Sequence, residues 1–180
     1  MAISQVVTNS IASGQTITSP TLVNPAFSGT PTGTLASANM PAGSVLQVVN
    51  FTYNTSTSAA TNTWIDTGLT ATITPKFATS KILVTVNVNG VYKDTNNTWV
   101  WLRCMLNGSL DVNLGTFLAY NALSSPNSVG TVGTSYLSNP ATTSPCTYKI
   151  QMASGNNAAN AYFNVSSADC SSFTLMEIAQ

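Results

Sequence analysis

Histidine is absent from the 180 residues, and charged side chains are scarce. Lysine plus arginine number five, aspartate plus glutamate number five, and the formal net charge is zero. Without histidine the chain lacks the commonest general base and metal ligand, and every Ser-His or Cys-His nucleophilic arrangement. The five acids are scattered along the sequence without the local signature of a catalytic pair. We therefore expect a protein that is not an enzyme and that holds no metal or other cofactor.

The basic residues are too few and too dispersed for a basic surface. Five cations between Lys76 and Lys149 cannot neutralise phosphates as a nucleic-acid binder must. No apolar run approaches the roughly 20 residues that cross a bilayer. The amino-terminal stretch also lacks the basic region and the continuous apolar region of a signal peptide. The sequence predicts no nucleic-acid partner, no membrane insertion and no export signal.

The three cysteines are widely spaced, odd in number and without a Cys-x-x-Cys pair. Free cysteine is commonly buried, so buried reduced thiols are the leading expectation for Cys104, Cys146 and Cys170. One disulfide plus one free thiol is the alternative.

What the sequence does contain changes along its length. Residues 1–43 are rich in Pro, Thr and Ser, and no charged residue precedes Asp66. Proline fixes φ, removes a hydrogen-bond donor and biases the residue before it towards extended geometry. These residues are predicted to form an extended arm for attachment or trimerisation, which must lie against another surface to stay ordered. Its expected anchoring side chains are Ile17, Leu22, Val23, Phe27 and Leu35.

Residues 44–180 show apolar side chains at every second position, which is typical of half-buried strands. Turn signals separate the runs, and Asn107-Gly108 between two apolar stretches predicts a hairpin. With no convincing helix, the pattern predicts an all-β domain, an antiparallel β-sandwich of the jelly-roll type. The clearest single faces are Ile82, Val84, Val86 and Val88 in one strand and Tyr148, Ile150 and Met152 in another.

Two predicted strands are apolar on both faces, although a two-sheet sandwich needs only one core face per strand. The second face needs another cover, and a neighbouring subunit is the simplest, since aromatic residues are enriched in interface cores. The alternative is that the tryptophan face lies under a loop of the same chain. The residues assigned to the subunit interface are Trp99, Trp101, Met105, Phe173 and Leu175.

Several segments resemble a family of virion proteins of tailed bacteriophages, especially those of cyanobacteria and other aquatic bacteria. The most specific are "AGSVLQVV", "ITPKFATSKILV" and "FTLMEI", and "SGQTITSPTLVNPAFSGTPTG" is similar to the Pro/Thr-rich connecting segments of phage fibres. The resemblance covers nearly the whole chain from Gly14. It implies a compact jelly-roll head domain that forms homotrimers, carried on an extended segment, in a non-enzymatic structural role.

Within that class the sequence favours a capsid decoration, or cement, protein, because an arm of residues 1–43 is short for a fibre shaft. Its expected partners are itself, as a homotrimer, and the major capsid protein. We expect it at the virion surface after synthesis in the host bacterial cytoplasm.

Two other functions stay open. A short tail fibre or adhesin would bind host surface glycans through loop tips, for which Tyr92, Asn96, Asn97 and Asn127 are the candidates. A tailspike-type glycan hydrolase is a more remote alternative and would need two or more of the five acids to converge in one cleft.

Overall fold

The computed structural model describes residues 36–94, 98–118, 127–155, 160–166 and 168–180. A single 3-10 turn at Ser37–Asn39 precedes the strands in this part of the chain. Every paired strand is antiparallel to its neighbour. The strands are β1 (Val45–Tyr53), β2 (Thr57–Ala59), β3 (Ile65–Ile73), β4 (Lys81–Lys93), β5 (Val100–Leu106), β6 (Ser109–Leu118), β7 (Asn127–Ser138), β8 (Cys146–Ser154), β9 (Ala161–Phe163) and β10 (Ser171–Ile178).

The strands form two sheets. The first has the order β1-β10-β4-β9-β2, with β7 also paired to β4, and the second has the order β3-β8-β5-β6. If only the eight longer strands are counted along the chain, the first sheet places strand eight between strands one and three. The second places strand seven between strands two and four. This interleaving is the jelly-roll order, so the predicted fold class is confirmed.

The core lies between the two sheets, and the predicted alternation is confirmed at both test strands. Fully burying an aliphatic side chain contributes roughly 1.5 to 3 kcal/mol relative to leaving it in water, so this layer is the main source of stability. Buried members include Ile82, Val84, Val86 and Val88 from β4 and Tyr148, Ile150 and Met152 from β8.

The predicted hairpin at Asn107-Gly108 is also confirmed. The two residues form the turn between β5 and β6, with φ of 49° at Asn107 and 86° at Gly108. Asparagine and glycine tolerate this left-handed backbone, and its twist matches that of the flanking strands. The side chain of Asn107 also accepts a 2.8 Å hydrogen bond from the backbone N–H of Thr147, which fastens the hairpin to β8.

Strand β7 begins at Asn127, in a stretch rich in serine, asparagine and glycine that has little strand character of its own. Serine, asparagine and glycine have low strand propensity. However, β7 pairs with β4 along its length, from Lys93 opposite Asn127 to Ile82 opposite Ser138. A long partner strand overrides weak local preference. The three-residue strand β2 has no strand signal of its own in the sequence either. It forms because it pairs with β9, which lies about a hundred residues away along the chain.

All three cysteines are free. Cys104 and Cys146 lie in the core, and burial raises the pKa of Cys104 to about 11 and that of Cys146 in the same direction. The prediction of buried thiols is confirmed for these two. It is wrong for Cys170, which is exposed in the segment before β10.

The first described residues contact the end of the sandwich where β4 begins and β10 ends. The Lys76 ammonium donates to the Ser37 hydroxyl and to the Leu46 carbonyl, each at 3.0 Å. The N–H of Gly43 donates to the carbonyl of Ala179 at 2.8 Å. The predicted arm up to residue 35 lies outside the described residues, and its boundary at residue 43 stays a prediction.

A buried carboxylate holds the loop at this end. Glu177 is fully buried on the inner side of β10 and accepts hydrogen bonds from the N–H groups of Lys76 (2.7 Å) and Phe77 (3.2 Å) and from the Gln47 amide (2.6 Å). Burial acts to raise the pKa of Glu177, but these donors outweigh it and hold the pKa below its usual value.

No helix in the described ranges is long and apolar enough to span a membrane.

Candidate interaction surface

The outer face of the second sheet carries all three tryptophans of the chain. Trp101 and Arg103 project outward from β5 because they alternate with the buried Val100, Leu102 and Cys104. The register places Trp101 opposite Ala153 and Arg103 opposite Gln151 of β8. Ala153 is fully buried on this outer side, and its small side chain leaves room for an indole above it. We call this surface the tryptophan face; its members are Trp64, Asp66, Trp99, Trp101, Arg103, Lys149 and Gln151.

The indoles form a continuous stack. The ring centroids of Trp64 and Trp101 are 6.0 Å apart with planes at 23°, and those of Trp99 and Trp101 are 6.1 Å apart at 60°. The Arg103 guanidinium carbon lies 4.1 Å from the Trp64 ring centroid, which is cation–π geometry. Gly155 lets the chain pass directly beside the Trp99 indole, where a Cβ atom would collide with the ring. The stack is therefore built into the backbone as well as the side chains.

A line of polar contacts runs beside the stack. Arg103 donates from Nε and Nη2 to Gln151 Oε1 at 2.9 and 2.6 Å, and Gln151 Nε2 donates to Asp66 Oδ1 at 2.6 Å. Lys149 Nζ lies 2.7 Å from Asp66 Oδ2. Burial acts to raise the pKa of Asp66, but these donors and the charges of Lys149 and Arg103 hold it below its usual value. The polar side chains of this line thus satisfy one another within a single chain. Among the described residues, the indole Nε1 of Trp101 is buried without a hydrogen-bond partner.

The same saturation holds for every carboxylate. Asp66 and Glu177 are described above, and no two of the five acids share a hydrogen-bond donor within the described residues. Among those residues there is also no group of three or more metal-ligating side chains. The remaining acids bind Asn160 and Tyr162 (Asp94), Tyr136 and Ser138 (Asp111), and the N–H of Ser166 (Asp169).

The predicted subunit interface is placed only in part on this face. Trp99 and Trp101 lie there and are half-buried. Met105 shares the face but is 6% exposed, so it has little surface to offer a partner. Phe173 and Leu175 are fully buried in the core of their own chain, and their assignment to an interface is wrong. Strand β10 is apolar on both faces, and the periodicity alone could not show which face points inward.

Four members of the tryptophan face were not predicted. The alternation of β3 and β8 puts charged or polar residues outside, but nothing in the sequence indicates that three separate strands meet. The concentration of the rare charges beside the tryptophans appears only after the strands are paired. The missed residues are Trp64, Asp66, Lys149 and Gln151.

The remaining predicted positions lie elsewhere. Tyr92 is on the outer face of β4 at the end of the sandwich opposite Ser37, and its ring is 5.5 Å from that of Tyr162. The backbone of Asn127 pairs with Lys93 at the same end. Asn96 and Asn97 lie outside the described residues. So do the five predicted anchoring residues of the arm, Ile17, Leu22, Val23, Phe27 and Leu35.

No protein-family model matches this sequence, and no curated protein matches it. Solved structures that are similar to it include two of infectious bursal disease virus. The VP2 subviral particle has a TM-score of 0.47 and 10% identity, over 76% of this chain and 34% of that chain. The virus of the Gx strain has a TM-score of 0.47 and 12% identity, over 74% of this chain and 32% of that chain. The chain spans about a third of the length of these structures.

Proposed function

We propose that this chain is a non-enzymatic virion surface protein of a tailed bacteriophage, and within that class a homotrimeric capsid decoration protein. It is made in the host bacterial cytoplasm and bound to the major capsid protein in the particle. Two features support the proposal: the jelly-roll order, which viral capsid domains share with lectins, and the resemblance of the sequence to phage virion proteins. Because one fold serves many functions, further support has to come from the side chains at the surface.

The tryptophan face is the observation that carries it. Tryptophan and arginine dominate the energetics of protein–protein contacts, and rigid aromatic groups lose little entropy on binding. Here three indoles and Arg103 are held in fixed positions, and the neighbouring polar side chains already have partners. Such a surface can be covered by another virion protein without leaving a buried charge unpaired. The five separately engaged carboxylates support a structural role over a tailspike-type hydrolase.

The test is to add purified protein to particles that lack it and to locate the added density by electron microscopy. Density that repeats over the icosahedral head is expected. Density confined to the tail would overturn the decoration role. A variant without residues 2–35 keeps the contacts of Ser37 and Gly43 with the domain and is expected to fold but not to incorporate. Normal occupancy by this variant would contradict the anchoring role of the arm.

A short fibre or adhesin is the second candidate, and one cluster favours it. At the end of the sandwich away from Ser37, the Tyr92 and Tyr162 rings lie side by side on the outer face of the first sheet. The Asp94 carboxylate accepts from Tyr162 Oη at 3.2 Å and from Asn160 Nδ2 at 2.8 Å. Aromatic faces beside a carboxylate and an amide suit a sugar ring. Under this candidate, Tyr92→Ala abolishes adsorption to host cells, whereas the control Thr85→Ala does not.

A further inference from the structure

The outer face of the first sheet carries a row of apolar side chains that crosses four strands in register. Val48 of β1 pairs with Met176 of β10, Met176 with Leu83 of β4, and Leu83 with Leu137 of β7. All four point away from the core, since their neighbours Val49, Leu175, Val84 and Tyr136 pack into it. We call this row of Val48, Met176, Leu83 and Leu137 the apolar band.

The band is open at both ends. Val48 is 54% exposed and Leu137 is 58% exposed, while Leu83 and Met176 between them are half-buried. Scattered apolar residues are normal on protein surfaces, but a contiguous exposed row marks an interaction site. On the tryptophan face, by contrast, none of the large apolar side chains that were predicted for the subunit interface is exposed.

The row on one side of the band is polar and already paired across the strands. Asn50 Nδ2 lies 2.9 Å from Thr174 Oγ1, and the hydroxyls of Thr85 and Ser135 are 2.9 Å apart. On the other side, the half-buried Ile178 pairs with Val45, which is 48% exposed, and with the charged Lys81. The apolar surface therefore extends past the band on that side. Apolar surface bordered by satisfied polar groups is the usual anatomy of a protein–protein interface.

We propose that the apolar band packs against the same band of a second copy of this chain. Two sheets pack face to face when inward side chains on both sides are apolar and interdigitate, and an identical copy supplies the matching row without further requirement. A twofold axis along the band superposes the two rows. It also sets Lys81 of each copy against the neutral Thr85 row of the other, so no like charges meet.

The size of the face indicates the strength of this contact. Four strands at about 4.8 Å spacing and seven residues at about 3.3 Å give a patch roughly 15 to 20 Å on each side. Even with side-chain relief, this patch is smaller than the approximately 800 Å² per partner of a standard interface, so we expect a weak association that depends on protein concentration. The inference goes beyond the proposed virion role, because a twofold contact through the band is distinct from the contacts that would close a homotrimer. It is tested on the purified chain alone.

The experiment compares Leu137→Lys with Leu110→Lys by sedimentation velocity and native mass spectrometry over a concentration series of the full-length protein. Leu110 is the matched control, since it is 52% exposed on β6 of the other sheet. The unaltered chain and the control are expected to self-associate. Leu137→Lys is expected to weaken association by about tenfold or more, because it buries an unpaired charge in the contact. Val48→Lys tests the other end of the band if the first variant does not fold.

Three outcomes overturn the proposal. The unaltered chain is monomeric at high concentration, Leu137→Lys and Val48→Lys associate as the control does, or Trp101→Arg dissociates the assembly while both band variants leave it intact. The last outcome moves the contact to the tryptophan face. A monomeric chain would also contradict the proposed homotrimer, whereas the comparison of the band variants with the control tests the band alone. The place of the protein in a particle is tested separately by electron microscopy.

Discussion

The outer faces of the two sheets differ in how far their side chains are already paired or covered within the chain. On the second sheet, the three indoles contact one another in a row, Arg103 lies over the Trp64 ring, and the polar side chains beside them are hydrogen-bonded. On the first sheet, the polar row is paired but the apolar band is left in water. Both faces look equally apolar along the sequence. The exposed apolar row is where we propose a second copy of the chain, whereas the tryptophan face offers a rigid surface to a different virion protein.

The largest expected effect is on the free energy of unfolding, which should respond differently to a substitution on each of the two faces. Trp101→Ala removes the middle of the indole stack and leaves a cavity above Ala153, so we expect it to lower the free energy of unfolding by about 3 kcal/mol. Leu137→Ala, at an exposed site, should change it by no more than about 0.5 kcal/mol. Urea titrations at low protein concentration, where self-association does not contribute, measure both. Equal effects would mean that the tryptophan face is not an intramolecular structural unit.

A second prediction tests the backbone contribution to the stack. In Gly155→Val, the new side chain must displace the Trp99 indole, and overpacking of this kind costs about 2 kcal/mol. Thermal unfolding followed by tryptophan fluorescence reports both the loss of stability and the change around the indoles. Gly108→Ala is a control for glycine replacement as such, because a Cβ there meets no neighbour, although its positive φ adds some strain. An unchanged emission spectrum for Gly155→Val would refute the close approach.

The two carboxylates with lowered pKa offer a third comparison, because Glu177 lies inside the first sheet and Asp66 outside the second. The Glu177 pKa is below the ordinary value of 4.5, so its stabilisation is complete above that pH and is lost as the pH falls through the folded-state pKa. Glu177→Gln is expected to cost about 2 kcal/mol near neutral pH, as for hydrogen bonds to a charged group. Its stability should also fall less steeply in acid. Parallel acid limbs for the variant and the unaltered chain would exclude Glu177 as the titrating group.

The smallest expected effect is at Asp66. Its side chain is 52% exposed and its partner Lys149 is 30% exposed, so Asp66→Asn should cost less than about 1 kcal/mol. The difference should shrink further in 1 M NaCl, because salt screens exposed pairs. Association through the apolar band should not weaken in the same salt, since the band is uncharged. Denaturant titrations and sedimentation at both salt concentrations check the two statements together.

The sequence alone determined the fold class and most of the strands. A period of two is an intrinsic property of a strand with one wet and one dry face, so the buried sides of β4 and β8 could be assigned residue by residue. Asn107-Gly108 has a local conformational preference strong enough to fix its hairpin. The lack of histidine and the scarcity of charge limit the chemistry that this chain could perform in any fold.

Only the tertiary structure decided which surfaces the chain presents. Phe173 and Met176 are both apolar, yet one is in the core and the other is on the band, because they project from opposite faces of β10 and only the packing of the two sheets decides which face is covered. The meeting of Trp64, Trp101 and Arg103 and the alignment of Val48 with Leu137 depend on register between strands far apart in the chain. Register arises from pairing of the whole domain, and no local pattern encodes it.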